Sequence, residues 1–420
     1  MTFFTSVKIK MLTIFEKYIS NSSKFEIKKE VLESSYLPDR LPHREREIDL
    51  LAREYYTILN GEKPKNILIF GKTGTGKTAV AKYIGRELKK AEKFYGKKKL
   101  ECIYINCEMV DSTYSIFQTI GNYISGGEHI PFTGWPLDKV YNIVNSNIDS
   151  WNGVLVIILD EIDRLIANAG DDVLYRLLLL DSELKNSKIS LLGISNELKF
   201  TEYLDARVKS RLNEEKIVFG PYNAIQIEDI LRERAESSNL SEYLDNSAIK
   251  LAASIAAQEH GDARRAIDLL RYAVDIAGQE GEYRIEEKHI IAAKSKLEID
   301  IVIETINSLP PQSKLVLLCA ILQDEAGKAQ FTTSELFDGY KVITQKVGFP
   351  TLTLRRVTDL VSEMDMLGLI RTKVKSFGRY GRSKVIELSI PSTEIKKLLL
   401  KDEYFSALVN FGFAKQTLLL

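Results

Sequence analysis

The chain has 420 residues, 45% of them hydrophobic, and is long enough for about two to four domains with separate cores. Its 58 basic and 58 acidic side chains give a formal net charge of zero, so a generally cationic surface is excluded and any nucleic-acid site must be a local patch. Three cysteines and four scattered histidines give neither a disulfide framework nor a zinc-ligand spacing. Without a disulfide framework, a reducing cytosol is the expected compartment. No apolar run is long enough for a transmembrane helix, so we expect no membrane partner.

The segment NILIFGKTGTGKTAVAKYIGREL (66–88) predicts a buried strand, a glycine-rich loop and a helix. The loop has the pattern G-x-x-x-x-G-K-T, from Gly71 to Thr78, in which successive backbone N–H groups can surround a phosphate chain. Lys77 would reach the β- and γ-phosphates, Thr78 would be a ligand of Mg²⁺, and the helix N-terminus would add positive potential. The pattern therefore predicts a site for ATP or ADP with Mg²⁺.

Two further strands predict the rest of this site. GVLVIILDEIDRL (153–165) is typical of a strand buried on both faces, and it ends in two acids. Asp160 would hold the Mg²⁺ shell, and Glu161 would polarise the attacking water. ISLLGISN (189–196) predicts another buried strand, whose terminal Asn196 would bond the γ-phosphate or the water. The carboxyl ends of strands line the ligand crevice of open α/β sheets. Asp160, Glu161 and Asn196 are therefore suitably placed to act on a bound nucleotide.

The segment YLDARVKSRLNEEKIVFGPY (203–222) contains Arg207 and Arg211, four residues apart and hence on one face of a short helix. Two interpretations are open. The pair is either a solvated basic face, or one arginine reaches the ATP site of a neighbouring molecule.

Residues 221–300 have apolar positions every three to four residues in several segments, which predicts a small helical bundle. The two prolines of NSLPPQSKLVLLCAIL (307–322) mark a boundary before a new apolar helix. A second helix follows in FTTSELFDGYKVITQKVG, with Thr332 or Thr333 as its N-cap.

A third helix and a hairpin complete the C-terminal pattern. The helix has an apolar stripe consisting of Leu354, Val357, Leu360, Val361 and Met364. LIRTKVKSFGRYGRSKVIELSI then predicts a strand, a glycine-containing tip and a second strand. Three helices followed by a β-hairpin are typical of a winged helix, whose third helix would lie in the major groove of DNA.

The hairpin carries six basic residues and no acidic one between Arg371 and Lys384. Its arginines would pair phosphates or enter a narrow minor groove, and Tyr380 would stack or bond a phosphate. The alternative is an ordinary solvated hairpin. The DNA-binding candidates of the third helix and the hairpin are Arg355, Arg356, Arg379, Tyr380, Gly381, Arg382 and Lys384.

The order of these motifs resembles the AAA+ superfamily, and within it the archaeal replication initiators of the origin-recognition/Cdc-type family. The resemblance extends over about residues 36–390. It is carried also by the strings YLPDRLPHREREIDLLA, VFGPYNAIQIEDILRERA, EHGDARRAIDLLRYA and VTDLVSEMDMLGLI.

The resemblance implies roles for further residues. A segment before the P-loop would line the adenine and ribose, through Leu37, Pro38, His43 and Arg44. The P-loop contacts would come from Gly74, Thr75, Gly76, Lys77, Thr78 and Ala79. Tyr222 and Arg234 would touch the nucleotide where base domain and lid meet, and Arg264 would sense the γ-phosphate in cis. Arg211 is the preferred trans arginine over Arg207.

The resemblance also implies that helices inserted after the second core strand contact DNA. VDSTYSIFQTIGNYISGGEHIPFTGWPLDKVYNIV (110–144) occupies that place, and its glycines and prolines predict a break between two helices. Because the segment has few basic residues, we expect contact through backbone N–H groups or apolar side chains.

We therefore expect an α/β P-loop AAA+ core with a parallel sheet and flanking helices (1–220), a helical lid (221–300) and a C-terminal winged helix (301–420). The resemblance implies a nucleoid-associated initiator that hydrolyses ATP slowly, binds double-stranded origin DNA, helps recruit the replicative helicase and associates with paralogous initiator subunits. The alternative is a DNA-independent AAA+ regulator or clamp-loader-like subunit whose winged helix binds protein. A transcriptional activator ATPase is less favoured, because the sequence suggests no ligand-sensing or receiver domain.

Overall fold

The computed structural model describes residues 27–124, 129–212, 214–376 and 382–413. The chain divides into two compact units, one ending at Ala293 and the other starting at Lys294. This division lies inside a long helix, Glu287–Ser308, which also contains the expected boundary at 300. The three-domain bounds given above stay predictions.

A five-stranded parallel sheet forms the centre of the first unit. Its strands are β1 (Asn66–Gly71), β2 (Lys99–Asn106), β3 (Gly153–Asp160), β4 (Lys188–Ser195) and β5 (Glu214–Phe219). They lie in the order β2-β3-β4-β1-β5, and every neighbouring pair is parallel. All residues of β1 and β3 are buried, which is why both strands are apolar without alternation.

Alternate residues of the inner strands enter two separate apolar cores, one on each face of the sheet. One core contains Leu68, Phe70, Leu155 and Ile157. The other contains Ile67, Ile69, Val154 and Val156. The sheet is thus fixed from both sides, and its carboxyl edge is a rigid support for the side chains at the strand ends.

Seven helices of the described residues surround this sheet: α1 (Glu45–Tyr55), α2 (Lys77–Tyr95), α3 (Thr113–Ile124), α4 (Leu137–Trp151), α5 (Ile162–Ala169), α6 (Asp172–Glu183) and α7 (Ala206–Leu212). Helices α3 and α4 form the predicted inserted pair after β2. Their packing is close at Gly121, where an added Cβ would lie 2.8 Å from Val144.

Three helices of the same unit form the lid: α8 (Ala224–Ser237), α9 (Asn246–Gln258) and α10 (Ala263–Glu280). Asn223 caps α8 in a reciprocal box with Gln226. Asp262 caps α10 by accepting hydrogen bonds from the backbone N–H groups of Arg264 and Arg265. The start of α10, which carries Arg264, is therefore well defined.

The second unit is a winged helix. It contains most of α11 (Glu287–Ser308), then α12 (Pro311–Glu325), β6 (Phe331–Thr332), α13 (Thr333–Val347), α14 (Leu354–Met366), β7 (Ile370–Ser376), β8 (Arg382–Leu388) and α15 (Ser392–Leu399). The strand order is β6-β8-β7, with antiparallel pairs. The short strand β6 was not predicted, because two residues are too few for a periodic signal.

The described part of this unit agrees with the local predictions. Of the two N-cap candidates, Thr332 caps α13, in a capping box with Glu335. Four members of the α14 stripe are buried, whereas Leu354 is 43% exposed because it is the first residue of the helix. The predicted fold class is confirmed. Within the described ranges, each helix is too short or too polar to cross a bilayer.

Candidate functional site

A cavity of about 330 Å³ lies in the first unit, between the carboxyl edge of the sheet, the lid helices and residues 34–42. Its walls include Gly74, Gly76, Thr78, Asp160, Glu161 and Arg264, all of which were predicted to belong to the nucleotide and Mg²⁺ site. The volume is in the range of small-ligand pockets.

Lys77 joins the P-loop to the end of β4. Its Nζ donates to the carbonyl oxygens of Gly71 and Lys72, at 2.7 Å each, and to Asn196 Oδ1 at 2.9 Å. Burial is the main cause that lowers the pKa of Lys77 to about 8, and the positive charge of Arg264 contributes to the same shift. Lys77 and Arg264 therefore act on the same small region, and an anion there would be stabilised by both.

Asp160 is fixed by three donors. Thr78 Oγ1 donates to its Oδ2 at 2.8 Å, Tyr104 Oη donates to the same oxygen at 2.7 Å, and the backbone N–H of Glu161 donates to its Oδ1 at 3.1 Å. Thr78 and Asp160 thus provide adjacent oxygen atoms, the donor type that Mg²⁺ prefers. These two residues fit the role of holding the metal ion.

Sequence reasoning missed Tyr104. It lies near the end of β2, and it reaches Asp160 because β2 and β3 are neighbours in the sheet. Its pKa is raised, mainly by burial and also by the hydrogen bond to Asp160. The only sequence signal is the position of Tyr104 near the end of a strand. That position does not show which strand lies beside it in the sheet.

Glu161 occupies an unusual backbone position, with a φ of 57°. Left-handed backbone is uncommon for residues other than glycine and often occurs at functional sites. Its Oε1 lies 3.5 Å from Asn196 Nδ2, and its Oε2 lies 3.9 Å from Arg164 Nε. Glu161, which lines the cavity, therefore contacts Asn196, and Asn196 in turn accepts a hydrogen bond from Lys77.

The segment before the P-loop divides into two parts. Leu37 and Pro38 line the cavity. His43 instead contacts Asp229 Oδ2 at 2.8 Å. Arg44 is buried, donates to the carbonyl oxygens of Thr75 and Gly220, and has its guanidinium 3.9 Å from the centre of the Tyr222 ring. Neither His43 nor Arg44 is in the cavity wall, and Arg44 supports the P-loop from behind.

Tyr222 and Arg234 both lie in the cavity wall. Arg234 donates to the carbonyl oxygens of Val31 and Tyr36, at 3.0 Å each. Burial lowers its pKa. In this structure Arg234 therefore holds the segment that forms one wall of the cavity.

The lid contacts the P-loop directly. The backbone N–H of Ala263 donates to the carbonyl oxygen of Gly74 at 3.2 Å. A Cβ added at Gly74 would lie 1.7 Å from Asp262 Oδ1. Asp262 was not among the predicted residues, although the string EHGDARRAIDLLRYA, which carries Arg264, contains it.

Arg207 and Arg211 do not line the cavity of their own chain. Both are exposed on α7, with their guanidinium groups 5.5 Å from the centre of the Tyr175 ring. Arg207 is paired with Asp205 at 3.1 Å, whereas Arg211 has no ion pair among the residues that the structure describes. Arg211 is thus more available for a second molecule.

The second unit presents basic groups on two elements. Arg355 and Arg356 are exposed at the start of α14, where Arg356 lies 3.7 Å from Glu363. Lys384 Nζ donates to Ser362 Oγ at 2.8 Å and so faces α14. Arg379, Tyr380, Gly381 and the side chain of Arg382 lie outside the described residues.

Three exposed cations on β7 were not predicted individually: Arg371, Lys373 and Lys375. They alternate along the strand and so share one face of the hairpin. The same residues line a groove together with Gln330 and Glu387. The sequence shows a basic residue at every second position here. That these side chains share one face follows only once β7 is known to be a strand.

Elsewhere in the described chain, Glu280, Glu282 and His289 converge. His289 Nε2 lies 3.3 Å from a carboxylate oxygen of each glutamate. The backbone N–H of Glu286 donates to His289 Nδ1 at 3.0 Å, which places the imidazole proton on Nε2. An Nε2 that carries a proton does not bind a metal ion, so this cluster is better understood as a cap of α11.

Models of three known domains match the chain: the AAA domain over residues 60–200, the Cdc6 AAA+ ATPase-type lid domain over 228–295, and the CDC6 C-terminal winged helix domain over 304–398. The ORC1-type DNA replication protein of Thermococcus kodakarensis is 45% identical over 406 residues, which cover 96% of this chain and 97% of that protein. ORC1-type DNA replication protein 1 of Methanosarcina acetivorans is 46% identical over 405 residues, covering 96% of each chain.

A solved structure, the Aeropyrum pernix ORC1 protein in complex with DNA, superposes with a TM-score of 0.77 at 39% identity, covering 92% of this chain and 100% of that one. The fold, the order of the motifs and the sequence identity over nearly the whole chain all indicate the same family. The chain belongs to the family of ORC1-type (Cdc6-like) DNA replication proteins.

Proposed function

We propose that this protein is an ATP-dependent replication initiator that binds duplex origin DNA through its winged helix and its inserted helices, and that hydrolyses ATP slowly as a switch. One observation carries the nucleotide part. Lys77, Thr78, Asp160, Glu161 and Asn196 meet through hydrogen bonds at the carboxyl edge of the sheet.

The P-loop residues bind and orient the triphosphate. Lys77 exchanges its hydrogen bonds to the Gly71 and Lys72 carbonyl oxygens for bonds to phosphate oxygens, and the N–H groups at the start of α2 add positive potential. Glu161 orients a water molecule against the γ-phosphate, with Asn196 beside it. Bound at Thr78 and Asp160, Mg²⁺ would neutralise phosphate charge.

Arg264 makes the lid sensitive to the nucleotide. It lies in the cavity wall at the start of α10, and the preceding Asp262 and Ala263 contact Gly74. The γ-phosphate of ATP attracts Arg264, whereas ADP lacks this phosphate and its negative charge. The ATP and ADP states therefore differ in lid position, and Arg211 reaches the corresponding site of a neighbouring or paralogous subunit.

The DNA part is supported by the winged helix and by the relative of 39% identity that was solved with DNA. Helix α14 enters the major groove with Arg355 and Arg356 at its start, and the hairpin contacts the adjacent backbone through Arg379 and Arg382. In the connection between the two inserted helices, Phe132 is 81% exposed, which agrees with an apolar contact. The protein then works at the nucleoid in the cytoplasm, and at the origin it helps recruit the replicative helicase.

The direct test titrates the ATP-loaded protein with a candidate origin duplex and with a scrambled duplex, at several salt concentrations. We expect tighter binding to the origin duplex and a negative dependence of log affinity on log salt. Failure to bind either duplex would favour the alternative, an AAA+ regulator whose winged helix binds protein.

A further inference from the structure

One carboxylate in the cavity wall has no role in the machinery above. Glu233 lies on α8 and lines the cavity together with Ile230, three residues earlier on the same helical face. Its Oε1 accepts a hydrogen bond from Ser237 Oγ at 3.1 Å. Its Oε2 is buried and has no hydrogen-bond partner in the described part of the chain.

A buried carboxylate oxygen without a donor is unfavourable, because it has lost its hydration and gained nothing in exchange. Because Glu233 lines the ligand cavity, a rotation of its side chain would bring this atom to a donor on the ligand. The unpaired oxygen therefore points to a hydrogen-bond donor on the molecule that fills the cavity.

The phosphates cannot supply that donor, because ionised phosphate oxygens carry no donor hydrogen and their charge repels the Glu233 carboxylate. The phosphate end of the cavity is marked by Gly76, Thr78 and Asp160, which line it at the sheet edge. Glu233 instead lies next to Arg234, which holds the Tyr36 carbonyl. The apolar side chains of Leu37, Pro38, Leu41, Ile230 and Ile267 also line the cavity and suit a purine base.

We infer that Glu233 Oε2 accepts a hydrogen bond from the nucleoside of the bound nucleotide, either from the 6-amino group of adenine or from a ribose hydroxyl. The inference rests on the proposed nucleotide binding. It makes Glu233 a specificity-determining residue, and because Glu233 belongs to the lid, the bond also ties the lid to the nucleoside.

Competition against a fluorescent ATP analogue tests this. The competitors are ATP, purine riboside triphosphate, which lacks the 6-amino group, 2′-deoxy-ATP and 3′-deoxy-ATP. We expect Glu233→Ala to weaken ATP binding about 10- to 100-fold, the usual effect of losing a hydrogen bond to a charged group. One of the competitors lacks the group that donates to Glu233. The parent and Glu233→Ala should bind that competitor with equal affinity, as in a double-mutant cycle.

Glu236→Ala is the matched control, because Glu236 is exposed on the same helix and is not in the cavity wall; it should bind all four competitors like the parent. Glu233→Gln keeps the side-chain size and should fall between parent and Glu233→Ala. The same ratio of variant to parent affinity for every competitor would overturn the inference, and so would parent-like ATP binding by Glu233→Ala. If the parent binds no nucleotide, or Lys77→Ala binds ATP as the parent does, it is the proposed function that fails.

Discussion

The contact between lid and P-loop gives a quantitative prediction at Gly74. This residue has a φ of 74°, and an added Cβ would lie 1.7 Å from Asp262 Oδ1. The left-handed backbone costs an alanine about 1–2 kcal/mol. Moving Asp262 away would also break its hydrogen bonds to the N–H groups of Arg264 and Arg265, which costs about 1 kcal/mol. We expect Gly74→Ala to destabilise the first unit by about 2–3 kcal/mol in all.

Asp262→Gly provides the control, because glycine is a tolerated N-cap and removes the clashing atoms. By itself it should cost only about a few tenths of a kcal/mol. Added to Gly74→Ala, it should restore stability by about 0.5–1 kcal/mol, since the clash is relieved while the backbone strain remains. The same change is therefore destabilising in the parent and stabilising in the variant.

Equilibrium urea unfolding without nucleotide measures this. Both tryptophans of the chain, Trp135 and Trp151, belong to the first unit, so intrinsic tryptophan fluorescence reports that unit alone. If Asp262→Gly lowers the stability of the Gly74→Ala protein, as it does that of the parent, the close contact between lid and P-loop is refuted.

Three further predictions concern nucleotide. Lys77→Ala should abolish or greatly weaken ATP binding, as measured by calorimetry, because the P-loop loses its phosphate cation; parent-like affinity would contradict the assignment. Glu161→Gln should keep ATP binding and lose hydrolysis, as measured by phosphate release, because only the group that polarises water changes; turnover at the parent rate would show that Glu161 is not the base. Arg264→Ala should remove the difference in small-angle scattering between ATP- and ADP-loaded protein; a difference that survives unchanged would mean that Arg264 senses nothing.

The sequence was informative where the chemistry is local. A strand, a glycine loop and a helix follow one another directly around Lys77, and Asp160 and Asn196 each end or follow a strand with an apolar pattern. Parallel strands place such ends at one edge, so these side chains were expected to meet. The capping of α13 by Thr332 was equally local.

Sequence reasoning was weaker where a side chain acts across the fold. Arg44 was predicted at the adenine, but its partners are Thr75, Gly220 and Tyr222, which only the folded sheet brings together. Tyr104 reaches Asp160 through the β2-β3 pairing, and Asp262 reaches Gly74 through the docking of the lid. Such contacts depend on strand order and helix packing, which residue periodicity does not determine.

The central claim is that the winged helix of this protein binds duplex DNA, and the salt dependence of binding tests it most directly. Arg379→Ala with Arg382→Ala is compared with the parent on origin and scrambled duplexes at several salt concentrations. Lys397→Ala with Lys401→Ala removes the same charge from exposed positions that follow the hairpin, and serves as the control. ATP affinity is measured for each protein and should not change, because the hairpin and the P-loop belong to different units.

Each lost phosphate contact should make the slope of log affinity against log salt shallower by about 0.9, so the hairpin variant should lose nearly two units of slope while the control keeps the parent slope. A loss that is larger on A·T-rich duplexes would place one arginine in a narrow minor groove. Unchanged affinity and slope in the hairpin variant would contradict DNA binding by this hairpin and would favour a protein partner for the C-terminal unit.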